Sequence, residues 1–163
     1  MTESHSKIDA LTMAMDAELQ AHNYYSQSSQ KATNPRGKDI LNQLAAFELN
    51  HYNYLKSLLS SLKEGNGWVS YAGTHFSEVS QSSETKDSSG DEKTKDDVLS
   101  ILSKAIEDEK KACAFYTKLA DETDDPAGKE ILKKLAEEEK LHTKLLNDQW
   151  YSLNNQGVWL WGD

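Results

Sequence analysis

The sequence predicts an all-α protein, a four-helix bundle made of two copies of one helical hairpin joined by a single long crossover. Two observations carry that prediction. The chain superimposes on itself after a shift of 91 residues, and each of its four helical segments presents an apolar stripe at alternating three- and four-residue steps. A third observation, the intrusion of Glu and His into those stripes at one level, marks where chemistry is to be sought.

The repeat needs no gap. Leu11, Ala14, Glu18, Ala21 and Tyr25 map onto Leu102, Ala105, Glu109, Ala112 and Tyr116. Pro35, Gly37, Lys38, Ile40, Leu41 and Leu44 map onto Pro126, Gly128, Lys129, Ile131, Leu132 and Leu135, and Glu48, His51 and Leu55 onto Glu139, His142 and Leu146. Each half reads as two helices, over 7–31 and 35–62 in the first and 97–122 and 126–151 in the second. Proline fits a first helical turn because the N–H it lacks would have no partner there. Asn34 and Asp125, just before the two prolines, are expected as N-caps. The short turns make the helices of each hairpin antiparallel neighbours.

The expected organisation is one domain over 1–163: hairpin 7–62, crossover 64–95, hairpin 97–151 and a tail over 152–163. A helix of this length requires a crossover of about 40 Å, which about a dozen extended residues span, so the linker is long enough. Its first part carries Trp68, Tyr71 and Phe76, expected to pack on the bundle. Its second part, Ser80 to Lys95, has almost nothing to bury and is expected to be mobile. The tail's Trp159 and Trp161 are expected to cover a groove or a partner chain.

Bulk properties exclude several classes. A formal net charge of -9 without a basic patch argues against a nucleic-acid partner. No apolar run approaches membrane-spanning length, and the polar start, Met1 to Asp9, is unlike a secretory signal. The single cysteine, Cys113, excludes an internal disulfide or a Cys-x-x-Cys metal knuckle. A cytoplasmic protein is expected.

The first helix offers Ile8, Leu11, Met15, Glu18, His22 and Tyr25 to its neighbours, and the third offers Leu99, Leu102, Ile106, Glu109, Cys113 and Tyr116. The second and fourth each place a Glu-x-x-His in an otherwise leucine-rich stripe: Glu48 with His51, and Glu139 with His142. Residues i and i+3 share a helix face, so carboxylate and imidazole enter one pocket. The interval from the lone Glu to the Glu of Glu-x-x-His is 30 residues in both halves, 18 to 48 and 109 to 139, which levels the groups across each hairpin. Ionised carboxylates in a dry core are destabilising unless paired. Two divalent cations balance the four negative charges, and neutral imidazoles complete the shells. The candidate metal ligands are therefore Glu18, Glu48, His51, Glu109, Glu139 and His142. The competing reading of these residues is a buried polar network without metal.

The segments AMDAELQAHNYY, LAAFELNHYNYL, AIEDEKKACAFY and LAEEEKLHTKLL resemble the rubrerythrin branch of the ferritin-like superfamily, over both hairpins. The resemblance implies a ferritin-like bundle with two metal ions, iron before manganese or zinc, reacting with hydrogen peroxide or dioxygen as an oxidoreductase. Two departures from rubrerythrin itself stand out. Its additional ligand Glu, three residues after the third-helix Glu, is Ala112 here, whose repeat mate is Ala21. Its Cys-rich rubredoxin module has no counterpart in this sequence, which points to an external electron donor. The alternative function is metal-ion binding or ferroxidase-type iron handling without peroxidase turnover; a third is a bundle with a vestigial site.

Other residues have plainer readings. His22 is expected in the core or beside the ligands before serving as an extra ligand, and Tyr25 and Tyr116 either bond to ligand carboxylates, pass electrons or simply pack. His5 and His75 read as surface or loop residues, and Glu137 and Glu138, off the core stripe, as solvated. A long crossover also permits hairpin exchange between chains, hence a homodimer.

Overall fold

The structure is a computed structural model that describes residues 2–74 and 92–160; side chains are described from Ser6 and, in the second stretch, from Lys95. It contains four helices: α1 (Thr2–Lys31), α2 (Pro35–Lys63), α3 (Glu92–Asp121) and α4 (Pro126–Gln156). The all-α four-helix architecture is as the periodicity predicts. Asn34 caps α2, its side chain accepting from the N–H groups of Arg36 and Gly37, and Asp125 caps α4 by accepting from Gly128.

Three helix bounds differ from the sequence reading, the first being the start of α1, at Thr2 and not Lys7. The third helix begins at Glu92, inside the stretch expected to be mobile linker. The sequence of its first turns, Glu-Lys-Thr-Lys-Asp-Asp, offers no apolar side chain, but Glu and Lys propagate a helix well without burial. The fourth runs to Gln156, and Gly157 then turns the chain out in the left-handed conformation (φ 68°). Phe76, His75, Trp161 and the stretch Ser80 to Asp91 lie outside the described residues, as does the side chain of His5.

Helices pack closely within each hairpin and sparsely between α1 and α3. The cross-hairpin contacts fix direction: Tyr24 of α1 bonds to the Ile101 carbonyl near the start of α3, whereas Glu18 of α1 accepts from Tyr116 near the end of α3. α1 and α3 are thus antiparallel, giving the up-down-down-up order. Two apolar layers result. One joins Leu11, Leu55, Leu58, Leu119, Leu132 and Leu135; the other joins Ile40, Leu41, Leu44, Leu102, Ile106 and Leu146. The 91-residue shift converts members of one into members of the other (Leu11 and Leu102, Leu55 and Leu146, Leu41 and Leu132). The polar groups lie between them.

The symmetry extends past the helices. Trp68, after α2, lies over Gly128 at the start of α4, and Trp159, after α4, lies over Gly37 at the start of α2. A Cβ on Gly128 would stand 2.4 Å from the Trp68 ring, and one on Gly37 2.6 Å from Trp159. Only glycine admits an indole this close to helix backbone. Each strap is anchored alike: Ser61 Oγ donates to the Gly67 carbonyl (2.7 Å) and Ser152 Oγ to that of Val158 (2.6 Å). Each hairpin therefore lays a tryptophan on the other. Among the described residues, no helix is long and apolar enough to cross a membrane.

Candidate metal centre

All six predicted ligands meet in the layer between the two apolar clusters, each almost wholly buried, with His51 and His142 at 0% exposure. They form two overlapping groups: Glu18, Glu48, His51 and Glu139 in one, and Glu48, Glu109, Glu139 and His142 in the other. Within each group the candidate ligand atoms lie within 4.8 Å of one another. Glu48 and Glu139 belong to both.

Both imidazoles turn Nδ1 into the cluster. His51 Nδ1 is 2.9 Å from Glu139 Oε1, 3.3 Å from Glu18 Oε1 and 3.7 Å from Glu48 Oε2. His142 Nδ1 is 3.0 Å from Glu48 Oε1, 3.5 Å from Glu109 Oε2 and 3.6 Å from Glu139 Oε2. The rings stack with centroids 6.1 Å apart. The tyrosines cross the axis: Tyr25 of α1 donates to Glu109 Oε1 (2.7 Å), and Tyr116 of α3 donates to Glu18 Oε1 (2.6 Å). Of the expected roles of these tyrosines, bonding to the carboxylates is observed.

The electrostatics are those of a site holding protons in place of cations. Burial, and then the charges of Glu139, Glu18 and Glu109, push Glu48 well above the usual carboxylate range. Burial with the charges of Glu109 and Glu18 moves Glu139 up to about 8. Glu109 goes the other way, to about 2: burial opposes this, but contact with Glu139 and the charge of His142 outweigh it. Glu18 is lowered similarly, against its burial, by Glu48 and His51. Both histidines rise well above their ordinary value; burial opposes, and the charge of Glu18 on His51 and of Glu109 on His142 prevails.

The groups do not satisfy one another. Among the described residues, His51 Nδ1, Glu109 Oε2 and both Glu139 oxygens find no hydrogen-bond partner despite complete burial. Four carboxylates and two imidazoles aimed at a shared interior, with such orphaned atoms, suit two adjacent cations of borderline or hard character.

Beyond the six, one residue was misread from sequence. Glu138, expected to be solvated, is half-buried, and its Oε1 accepts from His51 Nε2 (3.2 Å), the Tyr71 hydroxyl (2.8 Å) and the Thr74 N–H (3.2 Å). Burial works against ionisation of Glu138, but the bonds from His51 and Tyr71 hold its pKa down. It fixes His51 with Nε2 outward and Nδ1 inward, as a carboxylate behind a metal-binding histidine does. In the other half the same position is Phe47, whose ring meets His142 edge-on at 4.6 Å. Glu137 is exposed, as expected. His22 stands apart from both groups, its Nδ1–H bonded to the Ala45 carbonyl (2.7 Å), and Cys113 is partly buried beside the first apolar layer. A 390 Å³ cavity between α1 and α3 reaches Glu18, Glu48, Glu109 and Glu139.

Comparison with known proteins agrees with this geometry. A solved structure of a hypothetical protein from Pyrococcus furiosus is 25% identical, aligns over 91% of this chain and 90% of its own, and has a TM-score of 0.70. No curated protein matches the chain. The rubrerythrin family model matches residues 9–93 and 100–158, which span both hairpins and every Glu and His of the two groups. By that match, the chain belongs to the rubrerythrin family.

Proposed function

We propose that the protein is a di-iron oxidoreductase of the cytoplasm that reduces hydrogen peroxide or dioxygen with electrons from an external donor. One observation carries the reading: two buried ligand groups share Glu48 and Glu139, so two metals would be held side by side. Glu18 and His51 would complete one shell, and Glu109 and His142 the other. A pair of ferrous ions in that arrangement supplies two electrons to a bound oxidant. The remaining chemistry belongs to the chain. Tyr116 and Tyr25 each hold one oxygen of Glu18 or Glu109. Burial first, and then the adjacent carboxylates, push both phenols well above their usual range, which keeps the proton on Oη. The mainly apolar cavity admits a small oxidant while limiting water at the carboxylates.

The test is Glu48→Leu combined with Glu139→Leu. The metal-free double mutant should fold, and be more stable than the wild type above about pH 8, where Glu139 ionises beside Glu109 and Glu18, because those buried carboxyls become apolar packing. Added ferrous iron should raise the thermal midpoint of the wild type and not of the mutant. Equal shifts in both proteins, or none in either, would sink the metal reading. Peroxide consumption under turnover with a reductant separates the oxidoreductase from an iron-handling protein that only oxidises and passes on ferrous iron.

A further inference from the structure

The repeat places the six ligands twice over, but one set of groups beside them it places only once. Asn50, Tyr54, Tyr71 and Glu138 surround the outer side of His51. Their mates under the 91-residue shift are Leu141, Leu145, Gly162 and Phe47, none of which has a polar side chain. The second half packs His142 without such groups, so holding a histidine does not by itself require them.

The set forms a path from the buried imidazole toward the surface. His51 Nε2 is bonded to Glu138 Oε1 at 3.2 Å, and the Tyr71 hydroxyl donates to the same oxygen at 2.8 Å. The Tyr71 ring meets the His51 ring edge-on, with centroids 6.1 Å apart, and meets the Tyr54 ring at 4.7 Å. Tyr71 is buried and Tyr54 half-buried. The Tyr54 hydroxyl donates to the Val69 carbonyl (2.6 Å), which fixes that ring against the crossover. Tyr71 Oη also lies 3.2 Å from Thr74 Oγ1, which accepts from Asn50 Nδ2. Because the phenol donates to Glu138, the threonine hydroxyl is left to donate back to Oη.

A phenol gives up an electron readily only when its proton leaves at the same time, since the protonated radical is a strong acid. Tyr71 has a carboxylate to take that proton and a hydroxyl to bond the oxygen left behind. Tyr25 and Tyr116 are worse placed. They are 2% and 1% exposed, and their hydroxyls donate to Glu109 and Glu18, carboxylates that the metals would engage. Glu138 belongs to neither ligand group.

We propose that Tyr71 is a redox-active tyrosine that, with Tyr54, carries single electrons from an external reductant at the surface to the buried centre. The inference rests on the di-iron reading and concerns dioxygen as the oxidant. Turning one dioxygen and four protons into two waters takes four electrons, of which two ferrous ions supply two. Tyr71 gives the third by way of the His51 ring. Its O–H bond breaks, the proton passes to Glu138 Oε1, and the neutral phenoxyl keeps the hydrogen bond from Thr74. A one-electron reductant then delivers an electron across the Tyr54 ring, Glu138 returns the proton, and the phenol is restored. A second passage supplies the fourth electron, and the protons of the two waters come from solvent.

The experiment uses the full chain loaded with saturating ferrous iron, its bound iron measured first, then mixed with dioxygen without reductant and frozen rapidly. Electron paramagnetic resonance should show a tyrosyl radical. A fluorotyrosine placed at Tyr71 should add fluorine splitting to that signal. Tyr71→Phe should remove the signal, whereas Tyr24→Phe, Tyr25→Phe and Tyr116→Phe should keep it. Ferrocyanide, added as the reductant, should quench the radical several-fold more slowly in Tyr54→Leu, which installs the residue of the other half. Tyr54→Phe keeps the ring and should quench as the wild type does. Thermal midpoint and iron content check that the Tyr54 variants are folded and loaded. A wild type that binds no iron overturns this proposal together with the di-iron reading. Bound iron with no radical, a signal without fluorine splitting, or one lost in Tyr25→Phe or Tyr116→Phe and kept in Tyr71→Phe overturns the role of Tyr71 alone. Equal quenching in Tyr54→Leu and the wild type overturns the path through Tyr54.

Discussion

Glu138 and Phe47 occupy equivalent places in the two halves, yet one accepts a hydrogen bond from His51 and the other lays its ring against His142. The two histidines are held by different means, so the two metal positions should differ in affinity. Glu138→Leu removes the carboxylate that fixes His51 and should weaken one of two metal-binding steps by about 10- to 100-fold, leaving the other unchanged. A titration of metal-free protein would then change from two tight steps to one tight and one weak. Tyr71→Phe, which removes one of three donors to Glu138, should act in the same direction and less strongly. Loss of both steps together would show that Glu138 supports the whole centre. The six clustered residues were legible in the sequence because charge in an apolar stripe is conspicuous, and a second copy in register more so. Glu138 was not. It lies one position off the stripe, and what draws it inward is Tyr71 and Thr74 of the crossover, a contact with no sequence periodicity.

At the level of elements, the reciprocal tryptophan straps are what each hairpin adds to the other beyond the polar layer. Gly37→Ala or Gly128→Ala sets a methyl group against the indole and should cost about 1–3 kcal/mol, the usual range for overpacking, read as a lowered denaturant midpoint. Pairing Gly37→Ala with Trp159→Leu should recover part of that loss, because the smaller side chain gives way; additive losses would show that the glycine is needed for another reason. The register that pairs Gly37 with Gly128 also pairs Trp68 with Trp159, so this device was present in the sequence, hidden because the repeat was followed only through the helices. The early start of α3 was hidden for another reason. Its first turns carry good helix formers and little apolar surface, so a test for burial passes over them.

Over the whole molecule, the centre couples protonation to metal binding. Metal-free, Glu48, Glu139, His51 and His142 all hold protons more tightly than in the unfolded chain, where the reference values are 4.5 and 6.5. The folded state then binds the extra protons, so metal-free stability should fall as pH rises from the acid side through about 8, where Glu139 ionises. Glu18 and Glu109 act oppositely: their contribution is present above 4.5 and is lost as pH falls toward about 2. Metal needs the deprotonated ligands, so loading should release about four protons near neutrality. The rise in midpoint on adding metal should grow between about pH 6 and about pH 8. Proton release measured in two buffers of different ionisation enthalpy, and midpoints across that range, check both statements; a pH-independent gain would contradict them. The pseudo-twofold axis has one more consequence, for descent. In a pair of identical hairpins made from one coding sequence every substitution appears on both sides of the axis, so a carboxylate behind one histidine is a carboxylate behind both. Joining the two copies in one chain removes that constraint. Glu138 opposite Phe47, and Lys104 opposite Met13, are differences that a pair of identical hairpins could not carry.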